Sequence, residues 1–139
     1  MERTGRCLCG AVTFVARDVE SKVSACHCGM CRRWTGGPLF VVGNAGVTWT
    51  GEEHIKTFTS SQWAERGFCS QCGTALFYRL TAPGPHQGAV QLAFGALDEQ
   101  SGFELEKEWF IDRKPDLYAL AGERTQLTEA QVFEMFGGG

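Results

Sequence analysis

Seven cysteines, set in three groups, constrain the fold of this 139-residue chain more than any other feature of its sequence. The groups are a pair, a triplet and a second pair: Cys7 and Cys9, then Cys26, Cys28 and Cys31, then Cys69 and Cys72. Four thiolates complete a tetrahedral zinc site, whereas three thiolates leave one coordination position free. The grouping therefore predicts a closed structural zinc site from the two outer pairs and a second, open zinc site from the triplet.

The outer pairs have the spacing of a structural zinc site. Cysteines three residues apart, as in Cys69-Ser70-Gln71-Cys72, form a common zinc half-site, and Gly73 relieves the backbone after the second ligand. A metal shared with Cys7 and Cys9 would close a long loop, which is where a cross-link constrains the unfolded chain most. A disulfide and buried free cysteines are the alternatives for these four residues.

The triplet is the candidate for chemistry. Gly29 eases the sharp turn after Cys28 that the three thiols need in order to converge. Three thiolates with a free position are expected where zinc must accept a substrate atom, and a coordinated thiol is deprotonated, which favours thiol chemistry over hydrolysis. The alternatives are a second structural zinc site, with His27 or a distant group as its fourth ligand, and a metal-free, redox-active triplet.

The residues beside the triplet are candidates to support its chemistry. His27 follows Cys26 on an extended backbone, so its side chain points away from the ligands beside it. It is therefore expected to support the ligands or to contribute to packing, and not to bind the metal itself. Arg32 and Arg33 are candidates to attract an anionic substrate or to offset thiolate charge.

Composition favours a mainly β fold in one domain spanning residues 1–139. Eighteen glycines, ten phenylalanines and four tryptophans are typical of tight turns around an aromatic core. Runs of β-branched and aromatic residues predict strands at 5–16, 22–26, 39–42, 75–80, 89–94 and 104–111, and a hairpin formed by 47–51 and 54–59. On the first of these strands Cys7 and Cys9 are expected to share a face.

A short helix is predicted near the C-terminus. Thr128 and Gln131 fit a capping box, in which each side chain bonds the backbone of the other residue. Val132 and Phe133 fall on the face expected to pack on the sheet, and Gly137 is expected to end the helix.

Charge and hydropathy exclude several classes of partner. The formal net charge is −3, and no run of Lys or Arg exceeds two residues, so the basic surface of a nucleic-acid binder is not expected. No apolar run approaches the ~18 residues of a membrane span, and no apolar signal region precedes Cys7. We therefore expect a cytoplasmic protein, where reduced thiols are metal ligands more often than disulfides.

Three segments of the sequence, taken together, resemble one known family. They are Gly5-x-Cys7-x-Cys9-Gly10, Cys26-His27-Cys28-x-x-Cys31-Arg32-Arg33 and Arg66-x-Phe68-Cys69-x-x-Cys72-Gly73. This pattern is similar to that of the glutathione-dependent formaldehyde-activating enzyme family, also called the centromere protein V family. The similarity extends over nearly the whole chain.

The resemblance implies a β-tent fold of antiparallel sheets held at a zinc site, and two zinc ions per chain. It implies a structural zinc at one set of positions, namely Cys7, Cys9, Cys69 and Cys72. It implies a catalytic zinc at the other set, namely Cys26, Cys28 and Cys31. This division agrees with the one obtained by counting ligands.

The activity that the resemblance implies is that of a carbon–sulfur lyase, similar to S-(hydroxymethyl)glutathione synthase. A thiol such as glutathione adds to a small aldehyde such as formaldehyde, and the reverse reaction cleaves the carbon–sulfur bond. Arg32, Arg33 and Arg66 are expected to bind a substrate carboxylate, and Tyr78, His27 or water to protonate the nascent alkoxide. The alternative is a non-catalytic zinc module that binds another protein.

Overall fold

The computed structural model describes residues 1–136 of the chain, and strands form most of its regular structure. The prediction of a mainly β fold with a short C-terminal helix is confirmed. In chain order the strands and helices are β1 Arg3–Arg6, β2 Thr13–Arg17, β3 Lys22–Cys26, α1 Gly29–Thr35, β4 Leu39–Val42, β5 Gly46–Thr50, β6 Ile55–Thr59, β7 Ala64–Cys69, β8 Ala75–Leu80, β9 Val90–Ala93, β10 Glu104–Trp109, β11 Thr125–Leu127 and α2 Glu129–Met135.

The strands form two sheets. The small sheet has the order β1-β2-β5, and the large sheet has the order β11-β10-β3-β4-β9-β8-β7-β6. Neighbouring strands are antiparallel, except that β10 runs parallel to both β3 and β11.

The main core lies where the small sheet packs on one face of the large sheet. Trp49 of β5 contacts both Phe14 of β2 and Phe77 of β8, with ring centroids 5.1 and 5.4 Å apart. Such tilted aromatic pairs add to the free energy gained by burying their apolar area. Cys7 and Cys69 belong to the same buried cluster, so the outer cysteines sit at the margin of this core.

A second, smaller cluster lies on the opposite face of the large sheet. In β4, Phe40 and Val42 pack in the main core, whereas Leu39 and Val41 pack in the smaller cluster with the cysteine triplet. Successive side chains of a strand point to opposite faces, so the large sheet separates the two clusters. The chain therefore keeps its main core and its triplet on different faces of one sheet.

Two local predictions are wrong. Residues 5–16 are not one strand, because β1 ends at Arg6, β2 begins at Thr13, and Cys7 and Cys9 lie in the loop between them. The predicted hairpin of 47–51 with 54–59 does not form either: β5 pairs with β2, and β6 pairs with β7. Gly51, at φ 81°, and the 3₁₀ turn Glu52–His54 redirect the chain from the small sheet to the large one.

The predicted capping box of the C-terminal helix is present. The Gln131 N–H donates to Thr128 Oγ1 at 3.3 Å, and the Thr128 N–H donates to Gln131 Oε1 at 2.8 Å. Phe133 of this helix packs against Trp63 and Phe110, with ring centroids about 6 Å away in each case. The predicted end of the helix at Gly137 lies outside the described residues. Within residues 1–136 no helix is long and apolar enough to cross a membrane.

The crossing between the sheets gives a first prediction. Replacing Gly51 with Ala should lower the free energy of unfolding by about 2 kcal/mol or more, because a side chain is strained at positive φ and the new Cβ would lie 2.0 Å from the Ala11 carbonyl oxygen. The matched control is Gly37→Ala, since Gly37 has no positive φ and no atom within 4 Å of the new Cβ. Denaturant unfolding at a fixed zinc concentration measures both variants, and equal stability of the two would contradict the prediction.

Candidate metal centres

Two similar turns present the outer cysteines. In the loop between β1 and β2, the Cys7 N–H donates to Val12 O at 3.0 Å and the Gly10 N–H donates to Cys7 O at 3.2 Å. Gly10 has φ 82°, a conformation that side chains disfavour. The turn brings Cys9 back over Cys7, which places both sulfurs on one side of the loop.

The loop between β7 and β8 repeats this arrangement. The Cys69 N–H donates to Thr74 O at 3.0 Å, the Gly73 N–H donates to Cys69 O at 2.8 Å, and Gly73 has φ 80°. The Leu8 N–H of the first loop also donates to Thr74 Oγ1 at 3.0 Å, which ties the two loops together. Two separate hairpin ends therefore present their thiols to each other.

The four outer sulfurs lie within 4.8 Å of one another. Cys7 Sγ and Cys9 Sγ are 3.7 Å apart, and Cys9 Sγ and Cys69 Sγ are 3.9 Å apart. A tetrahedral zinc site with metal–sulfur distances of about 2.3 Å has sulfur–sulfur edges of about 3.8 Å. The donor set of Cys7, Cys9, Cys69 and Cys72 therefore fits a zinc ion in both number and spacing.

Backbone and hydroxyl donors favour thiolates in this cluster. The Val12 N–H donates to Cys7 Sγ and the Gln71 N–H donates to Cys69 Sγ, each at 3.3 Å. The Thr74 hydroxyl, followed by neighbouring N–H groups, lowers the pKa of Cys72 to about 5. Zinc binds the thiolate form, so these donors prepare the cluster for a metal.

The cysteine triplet is carried by the end of β3 and the start of α1. Cys26 is the last residue of β3, Cys28 is the N-cap of α1, and Cys31 lies in its first turn. The Cys31 N–H donates to Cys28 Sγ at 3.4 Å, so the first sulfur of the helix takes the place of an ordinary N-cap oxygen. The turn predicted after Cys28 is thus the start of a helix.

The triplet offers three ligand atoms. The sulfurs of Cys26, Cys28 and Cys31 lie within 4.8 Å of one another, and no fourth histidine, cysteine or carboxylate joins them among residues 1–136. Cys31 is buried, whereas Cys26 and Cys28 are half-buried. A metal held by these thiolates would keep a coordination position for a ligand from outside the chain.

The thiols of the triplet are not equivalent. Interactions with the thiols of Cys26 and Cys31 lower the pKa of Cys28 to about 2, although burial alone would raise it. The pKa of Cys26 is raised, first by its hydrogen bond to Cys28. Without a cation the cluster accordingly holds one thiolate stabilised by two thiols, because three adjacent negative charges would repel one another.

His27 is held by a buried polar network behind the triplet. Its side chain is fully buried; Nε2 lies 2.8 Å from Glu108 Oε1 and Nδ1 lies 2.9 Å from the Tyr118 hydroxyl. Glu108 in turn accepts from Arg124 at 2.7 Å and from Gln126 at 3.1 Å. Because both ring nitrogens are engaged, His27 braces the backbone between two ligands.

A β-bulge in β10 turns Glu108 towards His27. Leu105 lies opposite Val23 of β3 and Glu108 lies opposite Ala25, so Glu106 is an extra residue in the register. Residues three apart normally face opposite sides of a sheet, but the bulge puts Leu105 and Glu108 on the same side. The alternating pattern of the sequence gives no sign of this shift. The network of Glu108, Tyr118 and Arg124 was therefore missed by sequence reasoning.

The predicted substrate-binding arginines lie in different surroundings. Arg32 is half-buried and its Nε donates to His27 O at 3.0 Å, whereas Arg33 is exposed and its Nη1 donates to Gly29 O at 3.4 Å. Arg66 of β7 is buried, and its guanidinium lies beside Cys31 on the same face of the sheet as the triplet. The structure thus brings all three to the neighbourhood of the triplet.

Comparison with known proteins identifies similar chains. The family model described as glutathione-dependent formaldehyde-activating enzyme matches residues 2–113. A Schizosaccharomyces pombe protein described as an uncharacterized lyase is 32% identical over 135 residues, which cover 96% of each chain. A Halomonas elongata protein provisionally named as a glutathione-dependent formaldehyde-activating enzyme is 32% identical over 83 residues, which cover 52% of this chain and 53% of that protein.

The buried network behind the triplet gives a second prediction. Replacing Glu108 with Gln should lower the free energy of unfolding by about 3 kcal/mol at pH 7, because it leaves the buried Arg124 charge without its partner. The matched control is Glu104→Gln, which removes an exposed ion pair with Lys22 and should cost less than about 1 kcal/mol.

The effect of Glu108→Gln should depend on pH. Burial raises the pKa of Glu108, but hydrogen bonds from Gln126, Arg124 and His27 outweigh it and hold that pKa below its usual value. A lowered pKa stabilises the fold above the ordinary carboxyl pKa, and this contribution disappears as the pH falls towards the lowered value. The difference between wild type and variant should therefore stay level from pH 7 down to about pH 5 and narrow as the pH falls below 4.5, the ordinary pKa of the carboxyl group. A difference that widens on acidification would contradict the assignment.

Proposed function

The chain belongs to the glutathione-dependent formaldehyde-activating enzyme family, and on this premise we propose that it is a carbon–sulfur lyase acting on a glutathione-like thiol and a small aldehyde. The observation that carries the proposal is the difference between the two cysteine clusters. Four sulfurs meet in the outer cluster and three in the triplet. A cluster of four ligands fills the coordination sphere of zinc and fits a structural role. A cluster of three ligands leaves one position at which a substrate sulfur could bind.

Cys26, Cys28 and Cys31 would hold the catalytic zinc, and Cys7, Cys9, Cys69 and Cys72 the structural zinc. Bound at the triplet, zinc would keep an incoming thiol deprotonated at neutral pH and so supply a ready nucleophile. Both ions are expected in the active protein. The first turn of α1 fixes two of the three ligands, Cys28 and Cys31. The third ligand, Cys26, lies at the end of β3.

The reaction forms one bond and moves one proton. The thiolate sulfur attacks the carbonyl carbon of the aldehyde, a carbon–sulfur bond forms, and the π electron pair moves to the carbonyl oxygen. That oxygen then takes a proton to give a hydroxymethyl thioether. In the reverse direction the hydroxyl loses its proton and the carbon–sulfur bond breaks.

Tyr78 is the proposed proton donor. It lies opposite Arg66 in the register of β7 and β8, on the face of the sheet that carries the triplet. Burial, opposed by the charge of Arg66 and reinforced by the three cysteines, raises the pKa of Tyr78 to about 12. The phenol therefore keeps its proton at neutral pH and can donate it to the alkoxide. His27 is less suited to donate this proton because both of its ring nitrogens already form hydrogen bonds, with Tyr118 and Glu108.

Arg32 and Arg33 are the proposed contacts for a substrate carboxylate. Both lie in the last turn of α1 and directly follow Cys31 in the chain. Arg33 is exposed and its guanidinium makes one long hydrogen bond, so it can turn towards a ligand. Arg66 is buried and its guanidinium already faces Cys31, so it is less free than Arg33 to turn towards a substrate.

The division of labour between the clusters gives the test of the proposed function. Cys28→Ser should abolish formation of the thiol–aldehyde adduct from glutathione and formaldehyde, while one zinc ion per chain and the melting temperature are retained. Its matched partner, Cys72→Ser, should lose the structural zinc and melt at a lower temperature, because the link between the two loops is broken. Metal content by mass spectrometry, thermal unfolding and adduct formation by NMR measure these outcomes. If Cys28→Ser loses both metals and the fold together, the division is wrong.

The proton donor can be tested separately. Tyr78→Phe should lower kcat by about 10²-fold or more, because a positioned general acid contributes about 10²–10⁴-fold to a rate. The ring remains under the Arg66 guanidinium, so metal content and thermal stability should stay close to those of wild type. An unchanged kcat in a metal-replete variant would exclude Tyr78 as the donor.

A further inference from the structure

A buried guanidinium faces the triplet. Arg66 is 3% exposed, and its Nη1 and Nη2 donate to Cys31 Sγ at 3.6 and 3.7 Å. Its Nε donates to Ser60 Oγ at 3.1 Å. A buried charge is costly unless it is paired, and of these two acceptors only the sulfur can carry a negative charge. This buried positive charge therefore lies against one of the three candidate ligands of the triplet.

Two aromatic rings hold the guanidinium in place. Its central carbon lies 5.1 Å from the ring centroid of Trp34 and 5.0 Å from that of Tyr78. Trp34 lies on α1, one turn after Cys31, and Tyr78 is the cross-strand partner of Arg66. Such cation–π contacts are strongest when they are shielded from water. The helix that carries Cys31 thus also helps to fix the position of the positive charge.

The outer cluster has no comparable charge. Its sulfurs accept from backbone N–H groups and contact the Thr74 hydroxyl, and in the described part of the chain no Arg or Lys side chain hydrogen-bonds to them. With a divalent cation, four thiolates carry a formal charge of −2, and three thiolates carry −1. Arg66 brings the charge of the metal-loaded triplet to zero, so one further anionic ligand can be added at lower electrostatic cost.

We propose that Arg66 is a positioning residue that acts through Cys31, and that its charge makes a metal held by the triplet prefer an anionic sulfur as its fourth ligand. The inference rests on the proposed function, because it requires a metal at the triplet. In this role, contrary to the prediction from the sequence, Arg66 does not contact the substrate carboxylate. It acts on the substrate through the ligand Cys31. Hydrogen bonds to a ligand from the surrounding residues are known to tune a metal site in this way.

The test uses the full chain with zinc in the outer cluster and Co²⁺ at the triplet. Arg66→Met removes the charge and all N–H donors, and Arg66→Lys keeps the charge without the paired donors. The matched control is Arg79→Met: Arg79 also lies over an aromatic ring, that of Phe77, but it pairs with Glu65 on the other face of the same two strands. Each protein is titrated with 2-mercaptoethanol, which has no carboxylate, and with glutathione, which has two.

The expected result is a loss of thiol affinity that does not depend on the carboxylates. Arg66→Met should bind both thiols at least about tenfold more weakly, and Arg66→Lys should fall between it and wild type. The sulfur-to-cobalt charge-transfer band of Arg66→Met should move to lower energy, because the lost hydrogen bonds no longer stabilise the electron pair on Cys31. Arg79→Met should match wild type in both affinity and spectrum.

Several outcomes would overturn the inference. Weaker binding of glutathione alone would make Arg66 a carboxylate contact, and equal affinity of wild type and Arg66→Met for 2-mercaptoethanol would remove its effect on the fourth ligand. If Arg66→Met does not fold, Arg66→Lys is measured alone. A spectrum and a thiol affinity identical to those of wild type would then show that the hydrogen bonds to Cys31 have no effect on the metal site. Failure of wild type to bind Co²⁺ at the triplet would instead remove the proposed function together with this inference.

Discussion

Mutual repulsion of the outer thiolates is the interaction on which the rest of the structure depends. Sulfurs 3.7 and 3.9 Å apart cannot all be ionised without a cation, since two unit charges at 4 Å repel by about 4 kcal/mol even at an effective dielectric constant of 20. The same cluster ties the loop after β1 to the loop after β7, and Cys7 and Cys69 complete the main core. A metal at this point would therefore couple charge balance, loop closure and packing in one place.

The large sheet lets the molecule use one ligand type for two purposes. Its first face packs on the small sheet and ends in the outer cluster, where a metal bound by four thiolates would have no free coordination position. Its second face carries the triplet beneath α1, with Arg66 and Tyr78 projecting beside it. Because alternate residues of a strand reach opposite faces, β7 can place Cys69 in one cluster and Arg66 beside the other.

The parts that could be predicted from the sequence are those determined by short-range spacing. The two pairs and the triplet of cysteines, the capping box of α2 and most strands follow from residues close to one another in the chain, and the union of the two outer pairs was inferred from the number of ligands that zinc needs. The parts that could not be predicted depend on register between distant strands. The bulge at Glu106 buries Glu108 under His27, and Leu76 is an extra residue opposite β7, which sets Tyr78 against Arg66. The loop of Cys7 and Cys9 was mistaken for strand because its flanking residues alternate as a strand does.

The surroundings of the two clusters explain why equal ligands need not give equal reactivity. Neutral N–H and hydroxyl groups contact the sulfurs of Cys7, Cys69 and Cys72 but leave the total charge of the outer cluster unchanged. Near the triplet, a full positive charge is buried against Cys31, and a network of His27, Tyr118 and the Glu108–Arg124 pair holds the backbone from behind. On the proposed function, the number of ligands determines whether a substrate sulfur could bind, and the buried guanidinium would make its negative charge more favourable. On this proposal, a residue that is not itself a ligand distinguishes the reactive cluster from the structural one.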